Sequence, residues 1–404
     1  MTAETSRSAF DCSRRDDTLL WLMPVRREPA DMEHTFSTEE IEQYQYVPVN
    51  SAQAYRDRMF FLLEEVNRVM DARDDLDRLI GNNPRSRMYD NHRNHAAFMA
   101  TVFALNNYGM LLSVVPWVYR AYASQGFSYD YFPVHLRAWQ KVLEENLPPD
   151  DAAPLKGIYG RLIASHETFI ALSRETTFLE IPAGNSRREE ATVRFLEAVL
   201  RGDSATSLTI SSEQVAGAAD LEDFYQWVVR PTMYRVGEMW ERGEISVAKE
   251  HLASAVVNRI LAAHYLDFVM KSDPTRGTVI VAASANEFHE IGARMVASAF
   301  ELDGWNVEFL GADTPVEDLL EMVAEKRPFV LAVSATMPFN IEHVSRIIER
   351  VRALPVWVRP KIMIGGLAFR HLSDPSGLLG ANGYAGDCAQ AVDLVRKWSG
   401  EVIE

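Results

Sequence analysis

A histidine that follows a glutamate by two residues and precedes a glycine by three, in Glu287-Phe288-His289-Glu290-Ile291-Gly292, is the part of this sequence best placed to do chemistry. Imidazole is a transition-metal ligand and a proton carrier near neutral pH. A carboxylate beside it can orient the ring by accepting a hydrogen bond from its other nitrogen. Upstream runs Gly277-Thr-Val-Ile-Val-Ala-Ala283, an uninterrupted apolar stretch suited to a central parallel strand. Downstream, Ile291, Met295, Val296 and Ala299 recur at helical spacing. His289 is therefore expected on a loop at the carboxyl edge of a sheet, where open α/β folds bind ligands. Taken alone, such a histidine reads first as an incidental loop residue.

Two further stretches change that reading. After Gly292 come 41 residues and then Ser334-Ala335-Thr336; after Thr336 come 28 residues and then Gly365-Gly366. Glu-x-His-x-x-Gly, Ser-x-Thr and Gly-Gly, each at its own strand-to-loop junction, resemble the base-off cobalamin-binding domain of methionine synthase and the B12 photoreceptors. Glu287 stands where that family usually has Asp. The resemblance implies cobalt held from below by His289, with Glu287 on the ring's other nitrogen, a coordination that suits imidazole. It also implies a nucleotide tail threaded into the core, with Gly292, Gly365 and Gly366 leaving room beside the backbone and Ser334 and Thr336 offering hydroxyls.

A second constellation precedes it. Trp240 is followed after nine residues by Glu250-His251, and Gly243 between them folds two helix ends together. Trp240 with a Glu-His pair is, alone, more simply a core tryptophan beside a surface pair. Ahead of a cobalamin domain, Trp-x9-Glu-His resembles the cap of the CarH-type B12 photoreceptors. That implies Trp240 shielding a cobalt–carbon bond, with Glu250 and His251 on the 5′-deoxyadenosyl group. Where those photoreceptors have a second cobalt-binding histidine after the tryptophan, this sequence has Glu241. Locking of the lit state through that position is not expected; His251 or water is left to take the upper site.

These residues need a multi-domain α and α/β frame. Four helices, at Arg187–Gly202, Ser211–Ala219, Leu221–Glu241 and Val247–Met270, predict a cap bundle over residues 187–271, with Ser246 capping the last. Strands at Thr278–Ala283, Asn306–Leu310, Phe329–Val333, Lys361–Ile364 and Gly383–Ala385 alternate with helices over residues 277–404. They predict a flavodoxin-like (Rossmann-type) five-stranded parallel sheet. Residues 1–45 are polar and acidic and read as a flexible arm.

Residues 46–180 read as an all-α domain. Helices are expected from about Ser51 to the Gly81-Asn82-Asn83-Pro84 stop, from Tyr89 to Tyr122, from Phe132 to Leu147 and from Leu155 to Leu179. The uncharged stretch Ala96–Tyr119 is long enough to cross a bilayer, but Asn106, Asn107, Gly109 and Pro116 interrupt it, and it reads as a buried core helix. Aromatic and histidine side chains crowd residues 89–139 among arginines, which suits a flat conjugated ligand with propionates as well as a plain aromatic core. The DNA-binding photoreceptors begin with a winged helix-turn-helix, which this region lacks. An aromatic helical domain ahead of a cap and a cobalamin domain resembles instead the photocobilins, which also bind biliverdin. By that resemblance His92, His95, Tyr131, His135 and Arg137 line a bilin pocket. With Cys12 and Cys388 both outside the region, no thioether is expected.

The net charge of −16, with no basic stretch, argues against nucleic acid as a partner. Two distant cysteines imply no disulfide framework and fit a reducing cytoplasm. The leading expectation is a light sensor, not an enzyme, that binds adenosylcobalamin and possesses biliverdin as a second chromophore. It would signal through a light-dependent homo-oligomer or a separate protein, away from membranes. The alternatives are a corrinoid methyl carrier of a methyltransferase system and a light-independent cobalamin-responsive regulator.

Overall fold

The computed structural model describes residue 41, residues 44–175 and residues 186–400. The expected arm over residues 1–45 lies almost wholly outside them.

Among the described residues, the longer helices of the N-terminal domain are Val49–Asp71 (α1), Arg85–Leu105 (α2), Tyr108–Ser124 (α3), Tyr131–Asn146 (α4), Pro149–Ala164 (α5) and His166–Arg174 (α6). The apolar face of α1, Tyr55, Met59, Leu62, Leu63, Val66 and Met70, is buried. Three boundaries differ. α1 ends at Asp71, and a short turn, Leu76–Leu79, precedes the Gly81–Pro84 stop. The expected Tyr89–Tyr122 helix is two helices. Asn106 adopts a left-handed backbone (φ 49°) and Asn107 caps α3 by accepting from the Met110 N–H at 2.8 Å. Pro116 lies inside α3 instead of ending it. The expected Leu155–Leu179 helix is likewise divided, into α5 and α6.

Ser186–Arg201 (α7), Ser204–Gln214 (α8), Arg230–Glu241 (α9) and Val247–His264 (α10) form the bundle. The second helix was expected at Ser211–Ala219. It starts earlier because Gly202 takes a positive φ of 72° and Asp203 then caps α8, accepting from the Thr206 N–H at 3.0 Å. A helical turn, Leu221–Phe224, and a π-turn, Tyr225–Val229, lead into α9, whose second residue is Pro231. Ser246 caps α10 as expected. Among the described residues, Val247–Val269 is long and apolar enough to cross a membrane, yet Val256, Val257, Ile260 and Leu261 bury into the bundle core.

The sheet comprises Thr278–Ala283 (β1), Asn306–Gly311 (β2), Val330–Ser334 (β3), Lys361–Gly365 (β4) and Gly383–Ala385 (β5), all parallel, in the order β2-β1-β3-β4-β5. Helices Ile291–Leu302 (α11), Val316–Lys326 (α12), Ile341–Arg352 (α13) and Cys388–Trp398 (α14) cover its faces. β1 lies between β2 and β3, so the chain leaves it in one direction and returns on the other side. The loops after β1 and β3 part there and open a crevice at the carboxyl ends. One face of the sheet shares its apolar core with the N-terminal helices, and α2 packs on α13 and on the turn Pro338–Asn340. The helical domain is docked against the sheet domain.

Candidate functional site

The loop after β1 is built around a sealed carboxylate. Glu287 has no exposed surface. Its Oε2 accepts from the backbone N–H groups of Thr336 (2.7 Å) and Met337 (3.0 Å) and from Asn340 Nδ2 (3.0 Å). Its Oε1 accepts from the His289 N–H (3.0 Å) and from His289 Nδ1 (2.5 Å). Burial opposes ionisation of Glu287. The hydrogen bond and charge of His289, with the Met337 and Asn340 donors, outweigh it and hold the carboxyl below its ordinary range. Burial also disfavours the charged ring of His289, but Glu287 and then Glu250 raise its pKa on balance. A carboxylate has no proton to give, so Nδ1 carries the hydrogen and Nε2 is left as the ligating nitrogen. No hydrogen bond reaches Nε2 among the described residues.

His289 lines a cavity of about 1000 Å³ between the bundle and the carboxyl ends of the sheet. The same cavity is lined by Gly292, Ser334, Thr336, Gly365 and Gly366 on the sheet side and by Trp240, Glu250 and His251 on the bundle side. All these residues were expected in one site, and Glu287 stands behind His289 as its support. Glu250 is bonded to His251 Nδ1 and accepts from Ser254 Oγ at 2.7 Å.

The two glycines after β4 are needed for a further reason. A Cβ on Gly366, whose φ is 105°, would lie 2.3 Å from the Ala335 carbonyl, and one on Gly365 would lie 2.8 Å from the Ala385 carbonyl. They let adjacent strand ends close on each other as well as bordering the cavity. Gly292 behaves differently: a Cβ there would meet nothing within 4 Å, and the space belongs to the cavity.

Gly237, Tyr234 and Trp117 are among the lining residues that sequence reading did not name. Gly237, one turn before Trp240 on α9, also has nothing within 4 Å of a Cβ and leaves bare backbone facing the cavity. Its signal was a glycine inside a helix that Ala would suit better. Tyr234 lies on the same helix and lines the same wall. Trp117 comes from α3 in the N-terminal domain and reaches the upper wall. Burial raises the pKa of the Glu241 carboxyl there, against a hydrogen bond from Trp117 and the charges of Arg120 and Arg370. A broad slot with a free imidazole nitrogen below and bare backbone at Gly237 and Gly292 fits a flat macrocycle larger than an ordinary small-molecule ligand.

The residues expected to line a second pocket are gathered in the N-terminal domain, with one exception. His92 stacks on His135 at 4.3 Å between centroids, and Tyr131 on His135 at 5.4 Å. Trp139 Nε1 donates to His135 Nε2 at 2.9 Å, and His95 Nε2 lies 3.3 Å from the Tyr159 hydroxyl. Arg137, two residues from His135, points to solvent and does not join them. The adjoining cavity is about 60 Å³, far below the roughly 300–1,000 Å³ of small-molecule pockets. The Tyr131 hydroxyl and His92 Nε2 are buried without a hydrogen-bond partner among the described residues.

Residues 277–391 and residues 193–264 each match a B12 binding domain model. The chain is 24% identical to trimethylamine corrinoid protein 1 of Methanosarcina acetivorans over 211 residues, which is 52% of this chain and 97% of that protein. It is 28% identical to the HTH-type transcriptional repressor CarA of Myxococcus xanthus over 222 residues, 54% of this chain and 72% of that protein. The monomethylamine corrinoid protein of Methanosarcina barkeri aligns in structure with a TM-score of 0.46 and 20% identity, covering 52% of this chain and 99% of that one. Apart from Trp117, the residues named in both walls of the large cavity fall within regions that match B12 binding domain models, and these matches support cobalamin as the cofactor.

Proposed function

We propose that the protein is a light sensor that holds adenosylcobalamin base-off, with His289 Nε2 as the lower ligand. The observation that carries this reading is that Trp240, Glu250 and His251 roof the same cavity whose floor is His289. When bound, adenosylcobalamin supplies a cobalt–carbon bond that visible light breaks. Glu287 keeps the proton on Nδ1 and the ring fixed. Trp240 excludes water from the upper face, while Glu250 and His251 offer a carboxylate and an imidazole to the adenosyl group. α9 and α10, which carry Trp240, Glu250 and His251, would lose a packing surface without that group, and the bundle would then shift against the sheet domain. Such a two-state change alters the surface open to self-association. Glu241 gives no nitrogen for the upper site, so His251 or water would take it in the lit state, or that state would relax differently.

No catalytic acid or base is required, and the output is a change of homo-oligomer or of a separate partner in the cytoplasm. We extend the proposal to biliverdin in the N-terminal domain, on the domain order and on the two orphaned polar atoms of Tyr131 and His92. With about 60 Å³ beside them, the His92–His135–Tyr131 stack must open to admit it.

A second reading, a corrinoid methyl carrier, is favoured by the match to nearly the full length of a trimethylamine corrinoid protein. A light-independent cobalamin-responsive regulator is the third. One experiment separates them. The full chain is loaded with adenosylcobalamin in the dark, and spectra and size-exclusion elution are recorded before and after green light. A light sensor changes both without added substrate. A methyl carrier prefers methylcobalamin and keeps its size, and a light-independent regulator responds to cobalamin but not to light. Co-expression with a biliverdin source tests the second pigment, and a chain that gains no red absorbance excludes it.

A further inference from the structure

The support of His289 does not stop at Glu287. Asn340, fully buried, donates from Nδ2 to Glu287 Oε2 and to the Asn286 carbonyl, each at 3.0 Å. Its Oδ1 accepts from Asn286 Nδ2 at 3.1 Å. That same Nδ2 donates to Oδ1 of Asn94, also at 3.1 Å. Asn94 lies on α2, in the N-terminal domain, and in sequence falls between His92, which stacks on His135, and His95, which meets His135 edge-on.

The chemistry gives this relay a direction. The carboxylate only accepts, so Asn340 must turn its amide nitrogen inward and its oxygen outward. Asn286 must then offer its nitrogen, and Asn94 must offer oxygen. Asn286 holds a left-handed backbone, φ 61°, which suits asparagine and aims its amide between the two domains. The docking is anchored elsewhere by Arg56 of α1, which bonds Glu342 at 2.7 Å and Glu349 at 2.6 Å, both on α13.

We propose that Asn94 is a positioning residue for the lower axial imidazole, so that the helical domain forms part of the cobalamin site through Asn94, Asn286, Asn340 and Glu287. A repacking of α2, for example one that moves His92 or His95, is then felt at His289. The inference rests on His289 as the lower ligand and does not depend on light sensing.

The test uses the full chain and aquacobalamin. Asn94→Ala weakens binding about three- to tenfold, less than the roughly 10–100-fold typical of a group bonded directly to a ligating histidine. It also lowers the fraction of histidine-ligated cobalt in absorbance and, after reduction, in nitrogen hyperfine splitting. Asn94→Asp keeps the accepting oxygen and restores both. In the cobalamin-free protein, ¹⁵N shifts of His289 show a smaller Nδ1–H tautomer fraction in Asn94→Ala. Asn286→Gly cuts the relay at its centre without straining the positive φ, and combined with Asn94→Ala it gives no further loss. Wild-type ligation in Asn286→Gly, an Asn94→Asp as impaired as Asn94→Ala, or additive losses in the double variant would each overturn the proposal. If Asn94→Ala does not fold, Asn286→Gly and Asn94→Asp still decide it. His289→Ala is the control: unchanged ligation there removes the lower-ligand reading itself, whereas loss there with neutral relay variants removes only the role of Asn94.

Discussion

Nδ1 of His289 lies 2.5 Å from a carboxylate oxygen of Glu287 that has no exposed surface, while the ring itself is 56% exposed. The fixed end of the pair is therefore inside the protein and the free end faces the cavity. Glu287→Ala leaves the Thr336 and Met337 N–H groups and Asn340 without their acceptor. We expect a loss of stability on the order of 3 kcal/mol in the cobalamin-free protein. Cobalamin affinity falls by about 10- to 100-fold. Denaturant titration and equilibrium binding measure the two, and unchanged affinity would show that the ring is oriented by something else.

Trp240→Ala opens the roof above the upper face without touching His289. Cobalamin affinity stays within about threefold, since the lower ligand and its support are intact. The preference for adenosylcobalamin over aquacobalamin falls, read as the ratio of their affinities in the dark. An unchanged ratio would remove the cap role from Trp240.

Gly237 separates folding from binding. Gly237→Ala replaces a poor helix former where nothing lies within 4 Å of a Cβ, so the cobalamin-free protein gains about 0.5–1 kcal/mol. Gly237→Leu fills the slot, and cobalamin binding is lost while the fold is kept. Thermal unfolding and a binding titration on the same samples check the opposite signs.

Acid should loosen the N-terminal domain. Burial holds the pKa of His92 and His95 down to about 3 and that of His135 well below its ordinary value, with the neighbouring His rings adding to this for His92 and His135. In the unfolded chain each ring takes a proton below about 6.5, so the unfolded state binds more protons between about pH 3 and 6.5. Stability is therefore complete above that window and falls as pH falls through it. From about pH 7.5 to about 5.5 the three rings together cost on the order of 4 kcal/mol. Melting followed by tyrosine and tryptophan fluorescence tests this, and a Tm that ignores pH across the range would mean the rings are charged or hydrated in the fold.

Much of the frame was legible because local signals agreed with the fold. The apolar run at Thr278–Ala283 is a central strand, and the motif residues from His289 to Gly366 share one wall with Glu287 behind it. The boundary of α8 was misplaced because Gly202-Asp203, a stop and a cap side by side, was overlooked. Arg137 was misplaced because helical facing puts it on the solvent side while His135 and Trp139 turn inward. Trp117 and Asn94 were not legible at all. Their roles arise from docking of one domain on another across 192 residues in the case of Asn94 and Asn286, and no spacing rule spans that distance.

The π-turn at Tyr225–Val229, followed by Pro231, gives α9 a seam at one end, and Gly243, at φ 70°, gives it a flexible corner at the other. Between them the 12-residue rod that carries Gly237, Trp240 and Glu241 keeps its regular hydrogen bonds. The roof of the cavity is thereby a regular rod set between two backbone irregularities, so any hinge in it would fall at its ends and not beneath Trp240.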